Sequence, residues 1–156
     1  MSYSPVIEYL YGLQKHGIKL GLETMRLLLE RVGNPQRALR VLHIAGTNGK
    51  GSTAAMAAAV LQRSGKRVGL YTSPHLVEFR ERIRVNGCMI TEAQVSELVM
   101  RLRAILDPDL NPTFFEMTTA LAFLHFVESE VEVAVLEVGL GGRFDATNVV
   151  EPLACA

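Results

Sequence analysis

The residues best suited to chemistry lie in one run, His43-Ile44-Ala45-Gly46-Thr47-Asn48-Gly49-Lys50-Gly51-Ser52-Thr53. Its glycines let successive backbone N–H groups turn toward an anion with no Cβ in the way. Lys50 adds a point charge suited to β- and γ-phosphate oxygens. Thr47, Ser52 and Thr53 add hydroxyls that can bond phosphate or metal-bound water. The generic phosphate-loop pattern, G-x-x-x-x-G-K-[ST], is not met, because Ile44 stands at its first position and Gly51 follows Lys50. The competing reading is a glycine-rich turn with an incidental lysine. Strand, loop, lysine, paired hydroxyls and helix all agree against it.

A second run, Leu136-Glu137-Val138-Gly139-Leu140-Gly141-Gly142-Arg143-Phe144-Asp145-Ala146-Thr147-Asn148, places a carboxylate at the end of an apolar strand and beside a glycine-rich loop. In open α/β sheets ligands collect at the carboxyl ends of strands. A carboxylate there suits Mg²⁺, which takes one or two protein oxygens and completes its shell with phosphate and water. An ion pair with an arginine would use Glu137 equally well. A third run, Tyr71-Thr72-Ser73-Pro74-His75, brings a hydroxyl to the same edge, although Ser-Pro often does no more than end a strand. His43 reads as a satisfied core histidine and His75 as a polar loop residue. His16 and His125 have nothing nearby that points to a metal site. No Ser/His/Asp arrangement has the elbow context of a hydrolase.

The elements that must position these residues follow from hydrophobic period. Pro5 to Gln14 and Leu22 to Val32 have helical spacing, with a glycine-punctuated loop between them and Gly33-Asn34-Pro35 as a stop signal. From Val41 the pattern becomes strand (41–45), turn, helix (51–64) and strand (67–71), the βαβ unit of a parallel sheet. Arg82 to Val85 alternates polar and apolar residues before Asn86-Gly87, which predicts a small hairpin. Thr91 with Gln94 forms a capping box that opens a helix to about Leu106. An apolar helix over 113–129, a β-branched strand over 131–138 and the opening of a further strand at Pro152 complete the order. The fold class expected is α/β: a phosphate-loop-type parallel sheet flanked by helices.

Composition sets the outer bounds. The chain has 156 residues, 49% of them hydrophobic and 21% charged, which excludes a disordered tail, a collagen repeat and a coiled coil. Sixteen Lys and Arg offset sixteen Asp and Glu, so bulk charge favours neither nucleic acid nor an anionic membrane. The longest weakly charged stretch, Gly51 to Gln62, is too short to span a bilayer. The N-terminus shows no basic segment followed by an apolar run. Cys88 and Cys155 lie far apart with no metal-type spacing, as expected in a reducing compartment. The expectation is a cytoplasmic α/β domain.

Taken together, GTNGKGS after a strand, YTSPHL, a threonine-opened helix and LEVGLGGRFDATN resemble folylpolyglutamate synthase and dihydrofolate synthase, Mur-ligase-like ATP-dependent amide-forming enzymes. The resemblance runs from Leu20 to the final strand. It implies that Thr47, Asn48, Gly49, Lys50, Gly51 and Ser52 hold the ATP phosphates and that Ser73 and Glu137 bind Mg²⁺. It implies pterin contacts from three segments: Thr113, Phe114, Phe115 and Glu116; Phe144, Asp145 and Ala146; and Gly17, Ile18, Lys19 and Leu20. In the last, Lys19 stands where the family pattern has an acidic residue.

The implied reaction is acyl-phosphate ligation. A carboxylate of dihydropteroate or of a folate takes the γ-phosphoryl group of ATP, and the amine of L-glutamate then displaces phosphate. No side chain in the sequence is an obvious general base. The resemblance also implies that this chain is the first part of a Mur-ligase-like ATP-binding domain. Longer relatives continue through a further histidine metal ligand, a carbamoylated lysine and a second α/β domain, and work as monomers. Ligation would then need residues beyond these. Two other readings remain: the ATP-binding module of another Mur-type ligase, and a nucleotide-binding module without ligase activity. A guanine-specific switch lacks its base-reading motifs.

Overall fold

Short β-branched runs that end in glycine or Ser-Pro, alternating with longer helical stretches, build one six-stranded sheet with helices on both faces. The computed structural model describes residues 2–16, 21–107 and 110–156. The strands are β1 (Val41–Ile44), β2 (Val68–Tyr71), β3 (Ile83–Val85), β4 (Cys88–Met89), β5 (Val133–Glu137) and β6 (Ala154–Cys155). The α-helices are α1 (Tyr3–Gly12), α2 (Glu23–Arg31), α3 (Lys50–Arg63), α4 (Glu92–Ala104) and α5 (Phe114–Glu128). The expected βαβ unit is β1–α3–β2, but its two strands are not neighbours. The sheet order is β4-β3-β2-β5-β1-β6, so β5 enters between them.

The sheet is mixed, where the sequence predicts a parallel one. β2, β5, β1 and β6 run parallel, while β3 returns antiparallel to β2 and β4 antiparallel to β3. The reason is local. Asn86 and Gly87 take positive φ of 49° and 80°, the two-residue turn that matches strand twist. The Asn86 side chain also accepts a hydrogen bond from Val68 N–H at 2.8 Å, which fastens the hairpin to β2.

The two faces are covered unequally. On one, α5 lies sandwiched between the sheet and α1, α2 and α4. It is buried on all sides from Met117 to Phe126, as its lack of a polar face requires. On the other face α3 alone covers the sheet, burying only Ala54 and Ala58 against Ile44, Val68 and Val135. Among the described residues no helix is long and apolar enough to cross a membrane. Register then aligns the site: Ile44 pairs with Glu137, and Tyr71 with Leu136, so β1, β2 and β5 end at one edge.

Candidate functional site

The glycine-rich loop leaves β1 at this edge and turns into α3. Gly46 and Gly49 take φ of 141° and 75°, values that L side chains rarely adopt, and Gly49 is the N-cap without any side-chain cap. Thr53 N–H donates to Gly49 O at 2.9 Å, so the N–H groups of Lys50, Gly51 and Ser52 precede the first helical bond. No acidic residue lies in the first turn of α3, and Lys50 is half-buried at its start. Thr47, Asn48 and Ser52 are exposed. Open donors, a positive helix end and a lysine are the chemistry that suits an anion.

Glu137 ends β5 and is buried, and its Oε2 accepts a hydrogen bond from Ser73 N–H at 2.9 Å. The arginine ion pair that the sequence left open is not formed. The ion pairs among the described residues are Arg31–Asp107, Lys66–Glu132, Arg80–Glu78 and Arg101–Glu128. Gly51 faces the same carboxylate: a Cβ built there would meet both Glu137 oxygens at 3.4 Å. The missing side chain at Gly51 thus leaves room beside the Glu137 oxygens. Among the described residues no three His, Cys, Asp or Glu side chains cluster as a metal cage. The buried Glu137 carboxylate, with Ser73 beside it, offers the hard oxygen chemistry that suits a small divalent cation keeping water and phosphate in its shell.

Beyond Ser73 opens a cleft of about 700 Å³. Its walls bring together Thr113, Phe114, Phe115 and Glu116 with Phe144, Asp145 and Ala146, two of the three segments singled out in the sequence. The third, Gly17, Ile18, Lys19 and Leu20, lies outside the described residues, although Gln14 and Gly21 on either side of it line the cleft.

Several of these residues also hold the fold. Thr113 and Glu116 form a capping box for α5: Glu116 N–H donates to Thr113 Oγ1 at 3.2 Å, and Thr113 N–H donates to Glu116 Oε2 at 2.7 Å. Asp145 spends both oxygens on its own loop, taking Leu140 N–H on Oδ2 and the N–H and hydroxyl of Thr147 on Oδ1. Thr147 Oγ1 lies 2.8 Å from His43 Nε2, which makes His43 the satisfied core histidine expected. Phe115 demands a glycine opposite, since a Cβ on Gly139 would lie 2.6 Å from its Cζ. Phe144 is about half exposed, with the Arg143 guanidinium 5.5 Å from its ring centre.

One part of the wall escaped the sequence reading. Arg82 occupies a polar position of the predicted hairpin but is buried at the end of a 3-10 turn, Phe79–Arg82. Its Nε–H donates to His75 Nδ1 at 2.8 Å, and His75 Nε2 lies 3.2 Å from the Tyr11 hydroxyl. Tyr11 in turn stacks on Phe114, with ring centres 5.7 Å apart. Because Nδ1 accepts from Arg82, the ring proton sits on Nε2, and burial, with Arg82 acting in the same direction and Glu81 against it, lowers the proton affinity of the ring. The loop carrying His75 is held by Glu81, whose carboxylate accepts the N–H groups of Leu76, Val77 and Glu78. Those three bonds pull its pKa down to about 2.

By fold the chain is an α/β domain of the Mur-ligase-like class. No protein-family model matches it. It is 45% identical over 158 residues to the dihydrofolate synthase/folylpolyglutamate synthase of Bacillus subtilis, covering 97% of this chain and 37% of that protein. The folylpolyglutamate synthase structure from Thermotoga maritima superposes with a TM-score of 0.90 at 50% identity, covering 97% of this chain and 36% of that one. The bifunctional folylpolyglutamate synthase/dihydrofolate synthase of Yersinia pestis, solved with AMPPNP and a manganese ion, gives 0.91 at 37% identity, over 99% of this chain and 38% of its own. The chain belongs with the folylpolyglutamate and dihydrofolate synthases, over the N-terminal part of their length.

Proposed function

We propose that this chain supplies the phosphate-binding and acid-binding part of an ATP-dependent ligase that joins L-glutamate to dihydropteroate or a folate. The observation that carries the reading is convergence: the glycine-rich loop, Ser73 and Glu137 meet at one end of a cleft whose walls are 113–116 and 144–146. In this reading the chain is the first part of an ATP-binding domain of the Mur-ligase type.

Thr47, Asn48, Gly49, Lys50, Gly51 and Ser52 hold the nucleotide phosphates through open backbone donors, hydroxyls and one cation. Glu137 and Ser73 hold Mg²⁺, which when bound neutralises phosphate charge as it develops. Phe114, Phe115 and Phe144 offer aromatic surface to a pterin. Glu116 Oε1 has no partner among the described residues and can accept from a pterin amino or ring N–H group. Asp145 and Ala146 shape the wall, and Gly17, Ile18, Lys19 and Leu20 would complete it. Phosphoryl transfer asks mainly for position and charge neutralisation, and these residues supply both.

The test is calorimetric titration of the chain with ATP and GTP, each with and without Mg²⁺, followed by dihydropteroate. Mg²⁺-dependent preference for ATP together with binding of dihydropteroate supports the reading. Nucleotide binding without any affinity for a pterin would favour another Mur-type module. Absence of nucleotide binding would refute it.

A further inference from the structure

Arg82 is only 7% exposed, yet among the described residues no carboxylate pairs with it. Neither of the two side chains it touches neutralises it. The Nε–H bond goes to a ring nitrogen of His75, which brings no negative charge, and the guanidinium carbon lies 5.1 Å from the centre of the Phe114 ring. A guanidinium carries five N–H donors, and the four on its Nη atoms have no acceptor among the described residues. Neither Nη atom is sealed from solvent, and the residue lines the 700 Å³ cleft. Those donors therefore open into the cleft.

Position narrows the ligand. Thr72 N–H donates to Arg82 O at 3.0 Å, which sets Arg82 beside Ser73 and hence near Glu137 and the glycine-rich loop. The Nε bond to His75, the stacking of Phe114 on Tyr11 and the burial of Phe79 fix the plane of the fork. Burying a cation with no anion is costly unless a charge of opposite sign arrives. A planar fork of free N–H donors matches a carboxylate in two parallel bonds.

We propose that the Nη groups of Arg82 bind the carboxylate of the acid substrate and set it at the phosphate end of the cleft. This rests on reading the cleft as a site for a pterin-bearing acid. The role is recognition and orientation. It assigns the aromatic part of the ligand to the Phe115–Phe144 side and the carboxylate to the side of Ser73.

The experiment crosses a protein variant with a ligand variant. The parent chain, Arg82→Gln and Arg82→Lys are titrated with dihydropteroate and with its counterpart in which hydrogen replaces the carboxylate, with circular dichroism to confirm folding. The parent should prefer dihydropteroate by about 10- to 100-fold, the range expected of hydrogen bonds to a charged group. Arg82→Gln should bind both ligands alike. Arg82→Lys keeps the charge without the fork, so its preference should fall short of the parent's by roughly three- to tenfold. Should Arg82→Gln not fold, Arg82→Lys decides, and an undiminished preference in it overturns the proposal. Retention of the preference by folded Arg82→Gln overturns it as well. A parent that binds both ligands equally overturns this assignment and leaves the pterin-acid cleft standing. A parent that binds neither refutes both.

Discussion

The two ends of the proposed site are built in opposite ways. At the phosphate end the chain offers mostly backbone: Gly46 and Gly49 in conformations few side chains share, open N–H groups at the start of α3, and exposed Thr47, Asn48 and Ser52. Little else in the fold leans on these atoms. At the acid end nearly every side chain has a second duty. Thr113 and Glu116 cap α5, Asp145 ties its own loop, Phe114 stacks on Tyr11, and Phe115 lies against Gly139. Substitutions at the first end should therefore change binding and spare stability, while those at the second should change both.

The largest expected effect is on the phosphate side. Lys50→Ala should weaken Mg·ATP binding by about 10- to 100-fold, the loss of a charge-assisted hydrogen bond, with unfolding free energy unchanged within about 0.5 kcal/mol. Equal affinity by calorimetry would remove Lys50 from the site, and a large loss of stability would erase the contrast. Glu137→Gln keeps the hydrogen bond from Ser73 N–H and removes the charge, so affinity measured with Mg²⁺ should fall while affinity without it holds. Gly51→Ala sharpens the same point, because its methyl would enter the space beside the Glu137 oxygens.

On the acid side Gly139→Ala forces a methyl to within 2.6 Å of Phe115 Cζ. It should cost about 1–3 kcal/mol in denaturant unfolding and narrow the cleft as well. Stability equal to the parent's would mean that Phe115 is free to move aside. Thr113→Ala removes the acceptor of Glu116 N–H, one of the two bonds of the capping box, and should cost about 1 kcal/mol, with weaker pterin binding in parallel.

The smallest effect is a pH dependence shared by the core. Burial lowers the proton affinity of His43, against the pull of Asp145, and that of His125, against Glu128. The unfolded chain then binds more protons, so stability should fall as pH drops through the ordinary histidine range near 6.5. Stability measured at pH 7.5 and 5.5 checks this, and His125→Gln should flatten the slope.

Local signals in the sequence carried far. The glycine-rich loop, the Asn86-Gly87 hairpin and the Thr91–Gln94 cap were legible because each depends on neighbours a few residues away. So was His43, read as a core residue from its apolar strand. Arg82 was not legible. Hairpin alternation makes it a solvent-facing residue, and its burial comes from His75 and Phe114, brought together only by tertiary packing. The second role of Glu116 could have been found, since Thr113 and Glu116 have the same spacing as Thr91 and Gln94. The joining of the hairpin to the sheet could not, because strand order leaves no local trace.

That strand order has a consequence for how the protein comes to exist. β1 bonds to β5 on one side and to β6 on the other, and both lie far downstream in the chain. Closing such long loops is entropically slow, and a parallel strand has no tight turn to help it. During synthesis the β2–β3–β4 meander can pair as soon as it emerges. The strand carrying the glycine-rich loop has no partner until residues 133–137 are made. The glycine-rich loop at the start of α3 is thus among the last parts of the molecule to take shape, and folding followed by loss of nucleotide protection should lag behind folding followed by hairpin formation.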